Sequence, residues 1–150
     1  MTLPKADDFI RHFKLNPHPE GGHYVQSYAS PRSTAIHFLL TSQDISKIHR
    51  LKSDEIWHFY FGGPLTIVEI ATNGKTITTV LGQDFPKGEK FQHTVKAGHW
   101  FGAFCNEDTP FIFFGCTMAP GFKFEDFEIA KREDVIKFLS PEYNAKFFPT

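Results

Sequence analysis

The chain has 150 residues, a formal net charge of −1 with histidine neutral, 18 phenylalanines and two cysteines. That is enough chain for one domain with a real core. No run of lysine or arginine exceeds two residues, so there is no basic stripe for nucleic-acid phosphates, and no apolar stretch approaches the length of a membrane span.

The opening "MTLPKADDFIRHF" lacks the apolar region of a signal peptide. A cytoplasmic protein is therefore expected, with Cys105 and Cys116 as buried thiols rather than a disulfide. Within "PKADDFIRHFKL", Phe9, Ile10 and Phe13 follow an acidic start and predict a short amphipathic helix with His12 on its surface. "NPHPEGG" breaks that helix, and His18 and His23 bracket its glycine turn, where His18 can brace the loop.

From Tyr24 to Thr117 the chain runs through nine strand-like segments: "HYVQSYAS", "STAIHFLLT", "SKIHRL", "EIWHFYF", "PLTIVEIA", "KTITTVLG", "KFQHTV", "HWFGAF" and "FIFFGCTM". Asn73-Gly74 is the strongest hairpin signal. So many short strands predict an all-β sandwich or barrel. After "APGF" the pattern changes, and "EDVIKFL" predicts a short helix packed outside the sheet.

The chemistry concentrates in "HRLKSDEIWHFYFGG". His49, then Glu55, then Gly62 form the skeleton of a metal-binding β-hairpin, but Leu51 stands where a second histidine is expected. Strand alternation puts His49 and Leu51 on one face, and Glu55, Trp57, Phe59 and Phe61 on one face of the next strand. If the two faces meet, His49 and Glu55 converge on a pocket floored by Trp57 and Phe59, as a base with its orienting partner, as metal ligands or as a structural ion pair. His58 and Tyr60 fall on the opposite face, with His58 read as a hydrogen-bonded structural residue. His37 faces either the pocket or a partner subunit, and His93 and His99 read as structural. There is no GxSxG elbow, glycine-rich phosphate loop, HExxH or CxxC.

"HPEGG" followed by Tyr24, then "AIHFLL", "HRLKSDEIWHFYFGGPL", "VKAGHW" and "GCTMAPGF", resemble the fifth of the numbered cupin families, small cupins of unknown function. The resemblance runs from about Asn16 to about Glu128. It implies a jelly-roll barrel related in fold to the dTDP-sugar 3,5-epimerases, and a homodimer. The expectation is one cupin domain over residues 1–150, with the barrel core at about 16–128 and a C-terminal helix at about 131–139.

Set against the general cupin metal pattern, His49, Glu55, Gly62 and Gly98 match, while Leu51 and Phe101 replace two histidine ligands. No metal ligand is therefore assigned and no cofactor is expected, beyond weak divalent binding. The leading functional expectation is an isomerase or epimerase acting on a carbohydrate or nucleotide-sugar-like molecule. His49 and Glu55 are its catalytic pair, with Trp57, Phe59, His37 and Trp100 against the substrate. The alternatives are a non-catalytic cupin that binds a small ligand, and a metal-dependent cupin with atypical ligands drawn from His37 or His99. A homodimer is expected through the phenylalanine-rich strands, because alternation leaves apolar residues on both of their faces.

Overall fold

The computed structural model describes residues 2–150. A short helix α1 (Ala6–Phe13) leads into the strands β1 (Asn16–Pro17), β2 (His23–Ala29), β3 (Thr34–Thr41), β4 (Ile45–Arg50), β5 (Glu55–Gly62) and β6 (Leu65–Ile70). There follow β7 (Thr76–Leu81), β8 (Gln92–Val95), β9 (Trp100–Cys105), β10 (Phe111–Met118) and β11 (Glu128–Ile129). The chain closes with α2 (Arg132–Val135), a 3₁₀ turn and α3 (Pro141–Phe147).

All nine expected strands form. They assemble into two antiparallel sheets, ordered β1-β2-β3-β10-β5-β8 and β11-β4-β9-β6-β7, in a jelly roll. Asn73-Gly74 makes the expected turn between β6 and β7, with Gly74 at φ 86° and the Lys75 N–H donating to Asn73 Oδ1 at 2.9 Å.

Three apolar layers follow from the alternation. Between the sheets, Phe38, Trp57, Ile67, Phe101 and Phe114 form the main core, with Trp57 stacked on Phe114 at 4.9 Å. Outside the first sheet, α1 lays Phe9 and Phe13 on Leu39 and Phe113. The Lys5 N–H donates to the Asp8 carboxylate at 2.7 Å and so closes the start of this helix. Outside the second sheet, Val135, Leu139 and Phe147 cover Ile48, Val68 and Ile70.

Two expectations change here. α3 is a further helix beyond the expected C-terminal one, started by Ser140, whose hydroxyl accepts from the Tyr143 N–H, and by Pro141. On β5 the alternation breaks at a bulge: Phe59 pairs with Phe114, but Phe61 pairs with Phe113. The extra residue, Tyr60, turns Phe61 outward onto Phe9 and Phe111, away from the face of Glu55 and Trp57.

Candidate functional site

A cavity of about 120 Å³ opens at one mouth of the barrel, between the turn 18–22, the ends of β4, β5 and β10, and the segment 122–127. The turn folds over the mouth because its two glycines take φ +113° and +76°. A Cβ on Gly21 would lie 1.9 Å from the Ile45 carbonyl oxygen, so only glycine allows this approach. The Lys47 N–H then donates to the Glu20 carbonyl at 2.7 Å, which fixes Glu20 beside β4.

Glu20 is thereby the direct partner of His49. The His49 Nε2–H donates to Glu20 Oε2 at 2.8 Å, and the Nδ1–H donates to the Lys47 carbonyl at 2.7 Å. Both residues are buried. Burial opposes the charge on each, but the pair outweighs it: Glu20 is held below its ordinary value and His49 above its own. The arrangement is an imidazolium–carboxylate ion pair with both His49 nitrogens engaged. Glu55 does not orient His49, and His49 has no free nitrogen with which to act as a base.

Glu55 also lines the cavity, buried, and has no charged partner of its own. Burial, reinforced by the Glu20 carboxylate and moderated by His49, pushes its carboxyl up to about 7. Beside it the buried Trp57 indole Nε1–H makes no bond of ideal geometry, but it lies close enough to the Glu55 carboxyl to temper that rise. His18 completes the polar set. Its Nδ1 accepts from the Glu20 N–H at 3.0 Å, which leaves the proton of the neutral ring on Nε2. Burial outweighs the nearby Glu20 carboxylate and lowers the His18 pKa, so the ring is neutral at pH 7.

The expected substrate-binding residues divide. Trp57 and Phe59 face the barrel interior, Trp57 in the core beneath Glu55 and Phe59 further along against Phe91. Neither lines the cavity. His37 is corrected to the outer face: Ile36 takes the cavity side, so its neighbour packs against Phe13, Tyr60 and Phe113. Trp100 is corrected likewise. It lies outside the second sheet with the C-terminal helices, under the Arg50 guanidinium at 4.2 Å. His58 is held by Thr117 Oγ1 at 2.8 Å and Gln92 at 3.2 Å, a hydrogen-bonded structural residue.

Sequence reasoning missed Glu20, Tyr24, Phe122, Phe124 and Phe127, all of which line the cavity. Glu20 sits in "HPEGG", where the paired glycines were the available signal of a loop folded against other backbone. A second polar cluster bridges the sheets away from the cavity. Glu69 on β6 accepts from His93 Nε2 on β8 at 2.9 Å and from His99 Nδ1 just before β9.

The chain matches the model of the Cupin superfamily (DUF985) over residues 7–130, and it belongs to that family. It is 27% identical to the uncharacterized protein YML079W of Saccharomyces cerevisiae, a match spanning 91% of this chain and 81% of that one. The crystal structure of protein SO0799 from Shewanella oneidensis is 38% identical, with a TM-score of 0.86 over 97% of this chain and 96% of that chain. A hypothetical protein from Leishmania major is 29% identical, with a TM-score of 0.82 over 95% and 96% of the two chains.

Bacillus subtilis oxalate decarboxylase, a protein with Mn(II) centers, shares the fold alone. It is 12% identical, with a TM-score of 0.62 over 98% of this chain and 47% of that one. The residues here do not fit such a metal. Leu51 and Phe101 take two ligand positions as buried apolar side chains, and both nitrogens of His49 are engaged. Among the described residues no group of three His, Cys, Asp or Glu side chains is arranged to hold a metal ion.

Proposed function

We propose that this cupin is a small-molecule isomerase that works by proton transfer with side chains alone. The observation that carries this reading is Glu55: a buried carboxyl on the cavity wall, without a charged partner of its own and poised near neutrality. Such a group takes a proton at one step and returns it at the next. In this reading the Glu55 carboxylate removes the proton beside a substrate carbonyl. The His18 Nε2–H donates to the carbonyl oxygen as charge develops there. Return of the proton to the neighbouring carbon, as the hydroxyl proton passes to the enolate oxygen, completes the isomerisation. The His49–Glu20 pair holds Glu20 ionised, which keeps Glu55 basic.

The cavity lining contains neither lysine nor arginine, so nothing in it neutralises a diphosphate. This favours an unphosphorylated carbohydrate-like carbonyl compound over a nucleotide-linked one. Solvent-deuterium exchange, followed by NMR over a panel of small aldoses and ketoses, tests the reading. Deuterium should enter beside the carbonyl with the native protein and not with Glu55→Gln. Ligand binding without exchange in any case would instead make this a binding module. The full engagement of both His49 nitrogens counts against a two-base epimerase, because it leaves one proton-transfer carboxyl where that chemistry needs two groups.

The reading includes a homodimer in a reducing, cytoplasmic setting. Tyr28, Ile56 and Tyr60 lie exposed on the outer face of the first sheet beyond α1, and Cys105 and Cys116 are unpaired and buried. No helix is long and apolar enough to cross a membrane among the described residues. A monomer by light scattering at micromolar concentration would remove the dimer.

A further inference from the structure

Three phenylalanine rings form part of the cavity wall. Phe122 meets Phe124 at 4.8 Å and 80°, Phe122 meets Phe127 at 6.2 Å and 73°, and Phe124 meets Phe127 at 6.3 Å and 73°. The three ring planes are steeply inclined to one another, edge against face, and Tyr24 lines the same cavity. Phe122 and Phe127 also pack against the main core, but core packing does not explain Phe124, which remains 55% exposed at the rim. The same small cavity holds two carboxyls, Glu20 and Glu55, its rings adjoin the imidazoles of His18 and His49, and the lining has no lysine or arginine.

Ring faces are negative and attract cations, most strongly when several enclose one charge away from water. His49 balances Glu20, so an ionised Glu55 is the charge left without a counter-ion. We propose that the cavity selects ligands carrying an alkylammonium group, seated against Phe122, Phe124 and Phe127 with the Glu55 carboxylate as counter-ion. This rests on the reading of the cavity as the ligand site and narrows its substrate class to small amino-carbonyl compounds of the amino-sugar type.

The titratable groups that face Glu55 across the cavity are His18 and Glu20 from the turn, Tyr24 from β2, His49 from β4 and Cys116 from β10. Of these, Glu20 and His49 are locked in their ion pair and His18 is neutral, while burial raises Cys116 well above its ordinary value. Glu55 is thus the group whose ionisation a bound cation would favour. Binding should strengthen as pH rises through its value of about 7, with release of a proton below it.

The test compares choline with 3,3-dimethylbutan-1-ol, which has nearly the same shape without the charge, by calorimetric titration near pH 8. We expect choline to bind at least about ten-fold more tightly, and Phe124→Ala or Glu55→Gln each to weaken choline by roughly three- to thirty-fold. Phe124 is exposed and Gln is nearly isosteric with Glu, so both variants should fold, as circular dichroism would verify. Equal or tighter binding of the neutral alcohol overturns the proposal. So does an absence of choline binding up to about 10 mM. If a neutral sugar binds and depends on Phe124 while choline does not bind, the alkylammonium inference fails and the cavity stands as the ligand site. If no binding responds to either substitution, the cavity itself is the wrong site.

Discussion

Glu20 Oε2 and His49 Nε2 lie 2.8 Å apart, both buried, and join the turn over the barrel mouth to β4. The bond adds a buried charge pair to the backbone contacts of Gly21 and Glu20 that hold this loop on β4. Removing one member leaves the other charge buried and alone.

We expect His49→Ala and Glu20→Ala each to cost roughly 3–5 kcal/mol of stability by denaturant unfolding, and the double variant to cost less than their sum. The pH dependence has two limbs. Glu20, lowered on folding, contributes above its ordinary 4.5, and that contribution is lost as pH falls through its lowered folded value. His49, raised on folding, contributes in full below its ordinary 6.5, and that contribution is lost as pH rises through its raised folded value. An NMR titration in which Glu20→Gln left the His49 value unchanged would contradict the pairing.

Glu55 acts with the opposite sign. Its carboxyl rises from 4.5 to about 7 on folding, so between those values the native state holds a proton that the unfolded chain has released. Stability should therefore fall as pH rises from 4.5 to about 7, by about 3 kcal/mol in all. Glu55→Gln should flatten this slope and be the more stable protein at pH 7.5. An unchanged slope in denaturant melts across that range would show that Glu55 is ionised throughout.

The Glu69 cluster should respond to acid. Burial would raise this carboxyl, but the hydrogen bonds from His93 and His99 lower it, so its contribution is present above 4.5 and is lost as pH falls through the lowered folded value. Glu69→Ala strips two imidazoles of their acceptor and should cost about 2–4 kcal/mol at neutral pH. Urea melts read the cost, and acid unfolding should lose part of its cooperative drop in the variant.

The C-terminal helices should be inseparable from the second sheet. Phe147 is buried against Phe104 and beside Gly102, where an added Cβ would meet Phe147 Cε1 at 2.7 Å and the Ser46 carbonyl oxygen at 2.8 Å. Phe147→Ala should cost about 3–5 kcal/mol through the cavity it leaves. Gly102→Ala should destabilise through overpacking by about 1–3 kcal/mol. Thermal melts near those of the native protein would mean the helix is only loosely docked.

Much of the barrel was legible because period-two alternation and turn residues are local signals. The nine strands, the Asn73-Gly74 hairpin and α1 all follow from residues near each other in the chain. The inward aim of His49 and Glu55 follows from the same period. What the sequence hid depends on distant packing. Glu20 reaches His49 only because two glycines fold its turn over the mouth, and no periodicity marks that. His37, expected against the substrate, faces outward because its neighbour Ile36 takes the cavity side. Trp100 points outward because the C-terminal helices give it an apolar cover there. The bulge at Tyr60 inverted Phe61, and alternation alone cannot foresee an inserted residue. Ser140-Pro141 did carry a readable helix start, one that marks α3.

The segment that carries Phe122, Phe124 and Phe127 continues directly into β11, which pairs with β4, and the Ala130 N–H then donates to the Ile48 carbonyl at 2.9 Å. The wall of the cavity is therefore also the tether from which the C-terminal helices hang. An occupant that braces those rings would brace the tether as well. A guest at the mouth should then slow proteolysis at residues 131–150 and raise the melting temperature by mass action. The far end of the chain would in this way report on a cavity it does not touch.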